Sequence, residues 1–203
     1  MKRENNMELA VLFYSYIAVL GLVVGSFLNV CILRIPAGES VVFGASHCPH
    51  CEKRLRVFEL VPVFSFLALK GRCKGCGAKI SVQYPLVEAA NALLWVAAVS
   101  FLPLHYTLFF DCALLSVLLC VAMVDAKTQE IPFCFNVFIA VIAFLKVGVV
   151  FYENGASALI SHGIGALCVS LPLFLIYVLS KGRAIGGVTL FSLHRAESTG
   201  RPP

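Results

Sequence analysis

Charge is what this sequence has least of. Only 13% of its 203 residues are Asp, Glu, Lys or Arg, against about a quarter in a soluble domain. With 60% hydrophobic residues, too few polar side chains remain to cover a water-facing surface, which excludes an ordinary soluble fold. A basic stripe interleaved with aromatics is also missing, so the net charge of +5 does not indicate nucleic-acid binding. The first apolar run is preceded by Lys2 and Arg3 like a secretory signal, but no A-x-A-like cleavage site follows it. It is also longer than a signal's apolar core, so it reads as a retained helix.

What the chain has instead is apolar runs long enough to cross a bilayer, which takes roughly 20 helical residues. Five are legible, at 9–33, 85–102, 104–124, 133–151 and 156–180. The expected fold is therefore an all-α polytopic membrane protein. Pro103 separates the second and third runs so narrowly that they should form a tight helical hairpin. Basic residues concentrate on the cytoplasmic side of membrane proteins, and Arg34, Lys53, Arg54, Arg56, Lys70, Arg72, Lys74 and Lys79 all fall between the first two runs. Residues 34–84 thus read as a cytoplasmic insert. Alternation places Lys127, Lys181 and Arg183 inside as well, and the amino terminus outside, with Lys2 and Arg3 on the disfavoured side.

Inside that insert, Cys48-Pro-His-Cys51 and Cys73-Lys-Gly-Cys76 form two C-x2-C knuckles separated by 21 residues. Four thiolates so spaced can close a tetrahedral zinc site with no open position, so the metal would be structural. Two disulfides or four idle thiols are the alternatives, and a cytoplasmic location favours reduced thiols and metal. His50, within a knuckle, could replace one cysteine as ligand; His47, His105, His162 and His194 show no ligand spacing. Cys31, Cys112, Cys120, Cys134 and Cys168 lie in or beside apolar runs and read as small packing residues. The apolar stretch 57–69 is too short to span and contains Pro62, so it reads as an interfacial or re-entrant segment.

Ionisable residues in membrane segments are costly and mark candidate functional sites. Four stand out: Glu88, Asp111, Asp125 and Lys146. Asp125 closes the third run at its cytoplasmic end, where a carboxylate meets both cytosol and membrane. A solvated helix-end aspartate is the plain alternative.

Several motifs together resemble the membrane prepilin peptidases, also called type IV leader peptidases. These are GSFLNVCILRIP at 25–36, the CPHC and CKGC knuckles, LVPVFSFLALKGRC at 60–73, SVQYPLVEAANALLW at 81–95, and Asp125 followed by Ile131-Pro132 in a D-x5-I-P pattern. The resemblance covers about 21–187. It implies an aspartic endopeptidase of the bacterial inner membrane that removes the basic leader of prepilins and pseudopilins at the cytoplasmic face. Many such enzymes also methylate the new amino terminus with S-adenosylmethionine, a role linked to the amino-terminal portion. On this resemblance Asp125 is one catalytic aspartate, and 85–180 carry the peptidase-like helices. Asn29 and Arg34, within the first motif, are candidate contacts for substrate or cosubstrate, although a helix-end Asn and a positive-inside Arg account for them about as well.

Aspartic hydrolysis needs two carboxylates sharing a proton. The family supplies its second in a GxGD motif, and LSKGRAIGG at 179–187 leads up to one, but Val188 and Thr189 follow. Codons GTG ACN for these two contain the aspartate codon GAC in a shifted frame, and HRAESTGRPP has no membrane pattern. A frameshift or truncation after Gly187 is thus the expected explanation, leaving 181–203 an incomplete motif and an aberrant tail. Asp111 lies about 21 Å along the helix from Asp125, too far to share a proton. Glu88 begins the second run on the cytoplasmic side, but the resemblance gives it no catalytic role. Two other readings remain: a non-catalytic protein whose knuckle binds pilin precursors or secretion machinery, and a small transporter built on Lys146 and Asp111.

Overall fold

A computed structural model describes residues 2–179, and the tail with Val188 and Thr189 lies outside them. The elements are α1 (Lys2–Arg34), a 3-10 turn (Val57–Glu59), α2 (Phe64–Ala68), α3 (Gln83–Phe101), α4 (Leu108–Thr128), α5 (Phe133–Asn154) and α6 (Ala156–Leu179). Among the described residues, four helical stretches are long and apolar enough to cross a membrane: Met7–Arg34, Gln83–Phe101, Leu108–Thr128 and Phe133–Asn154. The fifth expected span is helical as α6, but its apolar stretch among the described residues, His162–Pro172, is shorter than a crossing. The protein is an all-α polytopic membrane protein, as its composition requires.

The described chain falls into two compact units divided after Lys146. In the first, α1, α3 and α4 pack together, and α1 meets α3 through Gly21 and Gly25. A Cβ at Gly21 would lie 2.7 Å from Ala92 Cα, and one at Gly25 would lie 2.7 Å from Glu88 Cα. Backbone therefore rests on backbone. In lipid, where apolar side chains gain little by leaving hydrocarbon, such small-residue contacts let helices hold each other by van der Waals packing.

A buried polar chain reinforces this contact. Asn91, fully buried, donates through Nδ2 to Gly21 O at 2.7 Å. Its Oδ1 accepts from the Ser116 hydroxyl of α4 at 2.8 Å, and Trp95 Nε1 donates to that hydroxyl at 2.9 Å. Three helices are thus joined by side chains whose alternative partner would be hydrocarbon. Towards the insert, Leu28, Ile32, Val87, Val124 and Phe135 form an apolar cluster with Cys31 and Cys120. Both cysteines, and Cys112, are buried as packing residues, whereas Cys134 and Cys168 are exposed.

The loop at Pro103 is as short as expected, 102–107. However, α4 starts and ends about a turn later than its apolar run. The residues Asp125-Ala126-Lys127-Thr128 are compatible with helix and continue it. It stops where Gln129 turns left-handed, φ 54°, its N–H donating to Asp125 O at 2.8 Å, and Pro132 prevents resumption before α5. Asp125 thus sits within the last turn, not beyond it. Farther along, Lys146 of α5 pairs with Asp111 of α4, a bond between helices. In the second unit, Gly155 with φ 66° separates the end of α5 from α6, which carries Pro172 internally.

Gly25→Ala tests the close contact. Alanine should stabilise a helix interior by about 1 kcal/mol over glycine, but overpacking costs about 1–3 kcal/mol, and here the obstacle is backbone. The expected outcome is a lowered thermal unfolding midpoint in detergent; a raised midpoint would refute the contact.

Candidate functional site: a four-cysteine insert over a buried acceptor pair

The insert is built from one device used twice. In the first knuckle Cys48 N donates to Lys53 O (3.0 Å), Glu52 N to Cys48 O (2.8 Å) and Leu55 N to Ser46 O (2.9 Å). In the second, Cys73 N donates to Ala78 O (2.8 Å), Gly77 N to Cys73 O (2.9 Å) and Ile80 N to Gly71 O (2.8 Å). An isolated antiparallel bridge flanks each, His47 with Arg54 and Arg72 with Lys79. The residue after each second cysteine is left-handed, Gly77 at φ 72° without strain and Glu52 at φ 53° against its preference.

This repeat brings the Cys48, Cys51, Cys73 and Cys76 sulfurs within 4.8 Å of one another. Cys48 Sγ and Cys76 Sγ are 3.9 Å apart. Four Zn–S bonds near 2.3 Å imply a sulfur–sulfur edge of about 3.8 Å, whereas a disulfide needs about 2.05 Å. All four thiols are unpaired, so the arrangement fits a tetrahedral metal ion. The backbone N–H groups of Cys76 and Gly75 are directed at Cys73 and hold its thiol down at about 6; Gly75 N lies 3.4 Å from the sulfur. Cys51 moves the other way, to about 11: the Lys53 N–H favours its thiolate, but desolvation and the three neighbouring sulfurs outweigh it. Cys73 therefore ionises more readily than Cys51.

The knuckles are tied to their surroundings by charge. Glu59 accepts from Arg56 N at 2.8 Å and from Lys53 Nζ at 3.2 Å. These two contacts hold its carboxyl below the usual range, the Arg56 N–H contributing most. Arg34, at the end of α1, donates to the carbonyls of Ser40 (3.0 Å), Phe43 (3.2 Å) and Gly44 (3.1 Å), organising the loop that enters the first knuckle. The stretch expected to be interfacial forms the 3-10 turn and α2, and exposes Phe58, Phe64 and Leu67.

Between the insert and the ends of α1 and α3 lies a cavity of about 550 Å³, lined by Asn29, Arg34, Glu59, Tyr84 and Glu88 among others. Asn29, 2% exposed, donates to Tyr84 O at 3.0 Å, while its Oδ1 has no partner. Glu88, also buried, accepts from Val63 N at 2.7 Å. Val63 is β-branched and left-handed, φ 58°, a conformation that costs energy; the Glu88 bond holds this turn against α3. Sequence reasoning noted Glu88 as a membrane-rim acid but missed Tyr84 and Val63. Their roles rest on backbone atoms, which leave no compositional trace.

Asp125 is exposed on the last turn of α4. Among the described residues its carboxylate has no hydrogen-bond or ion-pair partner. Asn29 and Arg34 come together at the cavity; Asp125 does not line it.

These features define a polytopic membrane protein with a four-cysteine cluster, able to hold a metal ion, between its first two spans. Residues 19–102 match the model of the bacterial peptidase A24 N-terminal domain. A prepilin leader peptidase/N-methyltransferase of Pectobacterium carotovorum subsp. carotovorum is 33% identical, over 86% of this chain and 70% of the relative. Proteins of the same name from Myxococcus xanthus and Klebsiella pneumoniae are 43% and 39% identical, over 62% and 60% of this chain. The chain belongs to the family of prepilin leader peptidases/N-methyltransferases. Its matches span 38% and 56% of the length of those last two relatives. No solved structure matches.

Metal binding gives a prediction with a sign. Ligand thiols must be deprotonated, so metal competes with protons at all four sulfurs and affinity weakens as pH falls. Metal analysis of purified protein should find about one zinc per chain at pH 7.5, and near zero for Cys73→Ser. Unchanged zinc in that variant would exclude the site.

Proposed function

We propose that this chain has the architecture of a prepilin peptidase, with Asp125 as one half of an aspartic dyad at the cytoplasmic membrane face. The observation that carries the reading is the exposed carboxylate on the last turn of a membrane-spanning helix, in a chain of this family. Alternation along α1, α3 and α4 puts that turn on the same side as the insert, whose basic residues favour the cytoplasm. A prepilin or pseudopilin with a charged leader in the cytosol and an apolar helix in the bilayer would present its scissile bond at this level. In such a site one carboxylate draws a proton from the attacking water while the other protonates the carbonyl oxygen.

The second acid expected by resemblance falls at Val188-Thr189, outside the described residues. Zinc in the four-cysteine site is structural in this reading, since four protein ligands leave no position for water. The exposed Phe58, Phe64 and Leu67 suit a lipid interface, which would seat the insert on the inner membrane. Methylation of the new amino terminus belongs to the cavity. Its volume is ordinary for a small-ligand site, and the unpartnered Asn29 Oδ1 fits an N–H or O–H of S-adenosylmethionine. When bound, that cosubstrate supplies the methyl group; Asn29, Tyr84 and Glu88 would hold it, with Arg34 at the rim fixing the loop.

The test is cleavage of a purified prepilin by the chain in lipid. As written it should bind the prepilin without measurable cleavage, and a chain read after Gly187 in the frame that supplies Gly-Asp should show cleavage that Asp125→Ala abolishes. Cleavage by the unaltered chain that survives Asp125→Ala would overturn the assignment of Asp125. Capture without cleavage in every variant would instead favour a non-catalytic pilin-binding protein.

A further inference from the structure

Helix α2 walls the cavity without belonging to the bundle. Ser65, Phe66 and the following Leu69 line the cavity, while Phe64 and Leu67 on the other side are exposed. None of the residues of α2 is fully buried, and among the described elements it packs appreciably only on the 3-10 turn. Its backbone bonds close on themselves. Ser65 N donates to Val61 O at 3.0 Å, Leu67 N to Val63 O at 3.1 Å and Gly71 N to Phe66 O at 2.8 Å, the last capping the helix where Lys70 turns left-handed, φ 51°. Gly71 and Arg72 join this segment to the second knuckle. Away from that base, among the described residues, its one hydrogen bond to another element runs from Val63 N to the Glu88 carboxylate of α3, at 2.7 Å. Glu88 is itself fixed, because the Ser26 hydroxyl of α1 donates to the same carboxylate.

That single bond holds a strained joint. Val63 has φ 58° and ψ −47°, and Phe64 N donates to Pro62 O across it. This is the positive-φ form of the γ-turn, the rare and strained one, and a β-branched side chain adds to the cost. Burial gives little in return, since Val63 is only half-buried. Strain of this kind persists where the surroundings hold it and relaxes when they let go. Here the surroundings reduce to one carboxylate oxygen.

We propose that 61–71 is a sprung lid over the cavity, clipped shut at Val63 by Glu88 and turning at its other end on Lys70 and Gly71, φ 51° and 66°. When the Glu88 bond breaks, Val63 relaxes to negative φ, Ser65 and Phe66 leave the cavity wall, and the cavity opens. The helices α1 and α3 need not move, because the lid's other bonds are internal or lie at its base. Lids of this kind admit a small molecule and then close water out. The device is the same whatever molecule the cavity holds, so it does not rest on the cleavage or the methylation proposed above.

The experiment is amide hydrogen exchange together with hydroxyl-radical labelling, both read by mass spectrometry on the full chain in lipid nanodiscs, with zinc content checked for each variant. In the unaltered chain the amides of Leu67 and Gly71 should be about tenfold less protected than those of Cys48, Cys73 and Gly77 in the knuckles. Glu88→Leu removes the clip, so exchange across 63–69 should rise about tenfold, with a matching rise in labelling of the inward Phe66 but not of the exposed Phe64. Val63→Gly keeps the N–H and removes the strain, so exchange across the same residues should fall about tenfold. The opposite signs distinguish a sprung lid from a segment that is merely loose, in which glycine would quicken exchange. Exchange that is unchanged or slower in zinc-loaded Glu88→Leu with α3 still protected, or that is unchanged or faster in Val63→Gly, overturns the proposal. Should Glu88→Leu fail to fold, the Val63→Gly result decides alone. Loss of cleavage or methylation with both exchange shifts intact would contradict the proposed function and leave the lid standing.

Discussion

The approach of α1 to α3 through Gly21 and Gly25 is the contact on which the rest of the protein depends. With 2.7 Å between the place of a missing Cβ and the facing Cα atoms, the helices are set by backbone and not by adjustable side chains. That fixes their rotation as well as their distance. Asn91 therefore finds Gly21 O, and one turn further towards the insert Asn29 and Glu88 face the same cavity. A polar group in hydrocarbon has no water to fall back on, so the close contact and the bonds it aligns reinforce each other.

The same constraint reaches the insert. Residues 34–84 would close a long loop between two helices whose ends are held together, and the doubled knuckle shortens that loop with four sulfurs. Arg34 anchors the entry by collecting carbonyls, Lys53 and Glu59 tie the first knuckle to the 3-10 turn, and Glu88 grips the strained Val63 turn. The knuckles, the helix ends and the cavity are thus tied together by these contacts.

Asp125 belongs to a different part of the molecule. It lies at the tip of α4, whose inner face is held by Ser116 and Val124 while its tip is solvent-exposed. The cavity beneath the insert and the solvent-exposed tip of α4 are distinct environments. Under the proposed function, the buried site would serve group transfer and the open one peptide hydrolysis.

Much of this was legible from the residues. The apolar runs gave the helices because a bilayer leaves a spanning backbone few alternatives, and the two C-x2-C knuckles gave the four-sulfur cluster because thiolate spacing is local. The length of α4 was misjudged by about a turn, since hydropathy marks where lipid ends and not where helical hydrogen bonding ends. Asp111 and Lys146 were visible as costly charges, but their pairing across α4 and α5 was not. The sequence by itself determined an all-helical membrane chain with a four-sulfur insert, because both depend on composition and short-range spacing. Only the tertiary structure decided that Asn29 and Glu88 share the floor of one cavity, because that depends on two glycines in α1 bringing its backbone against α3.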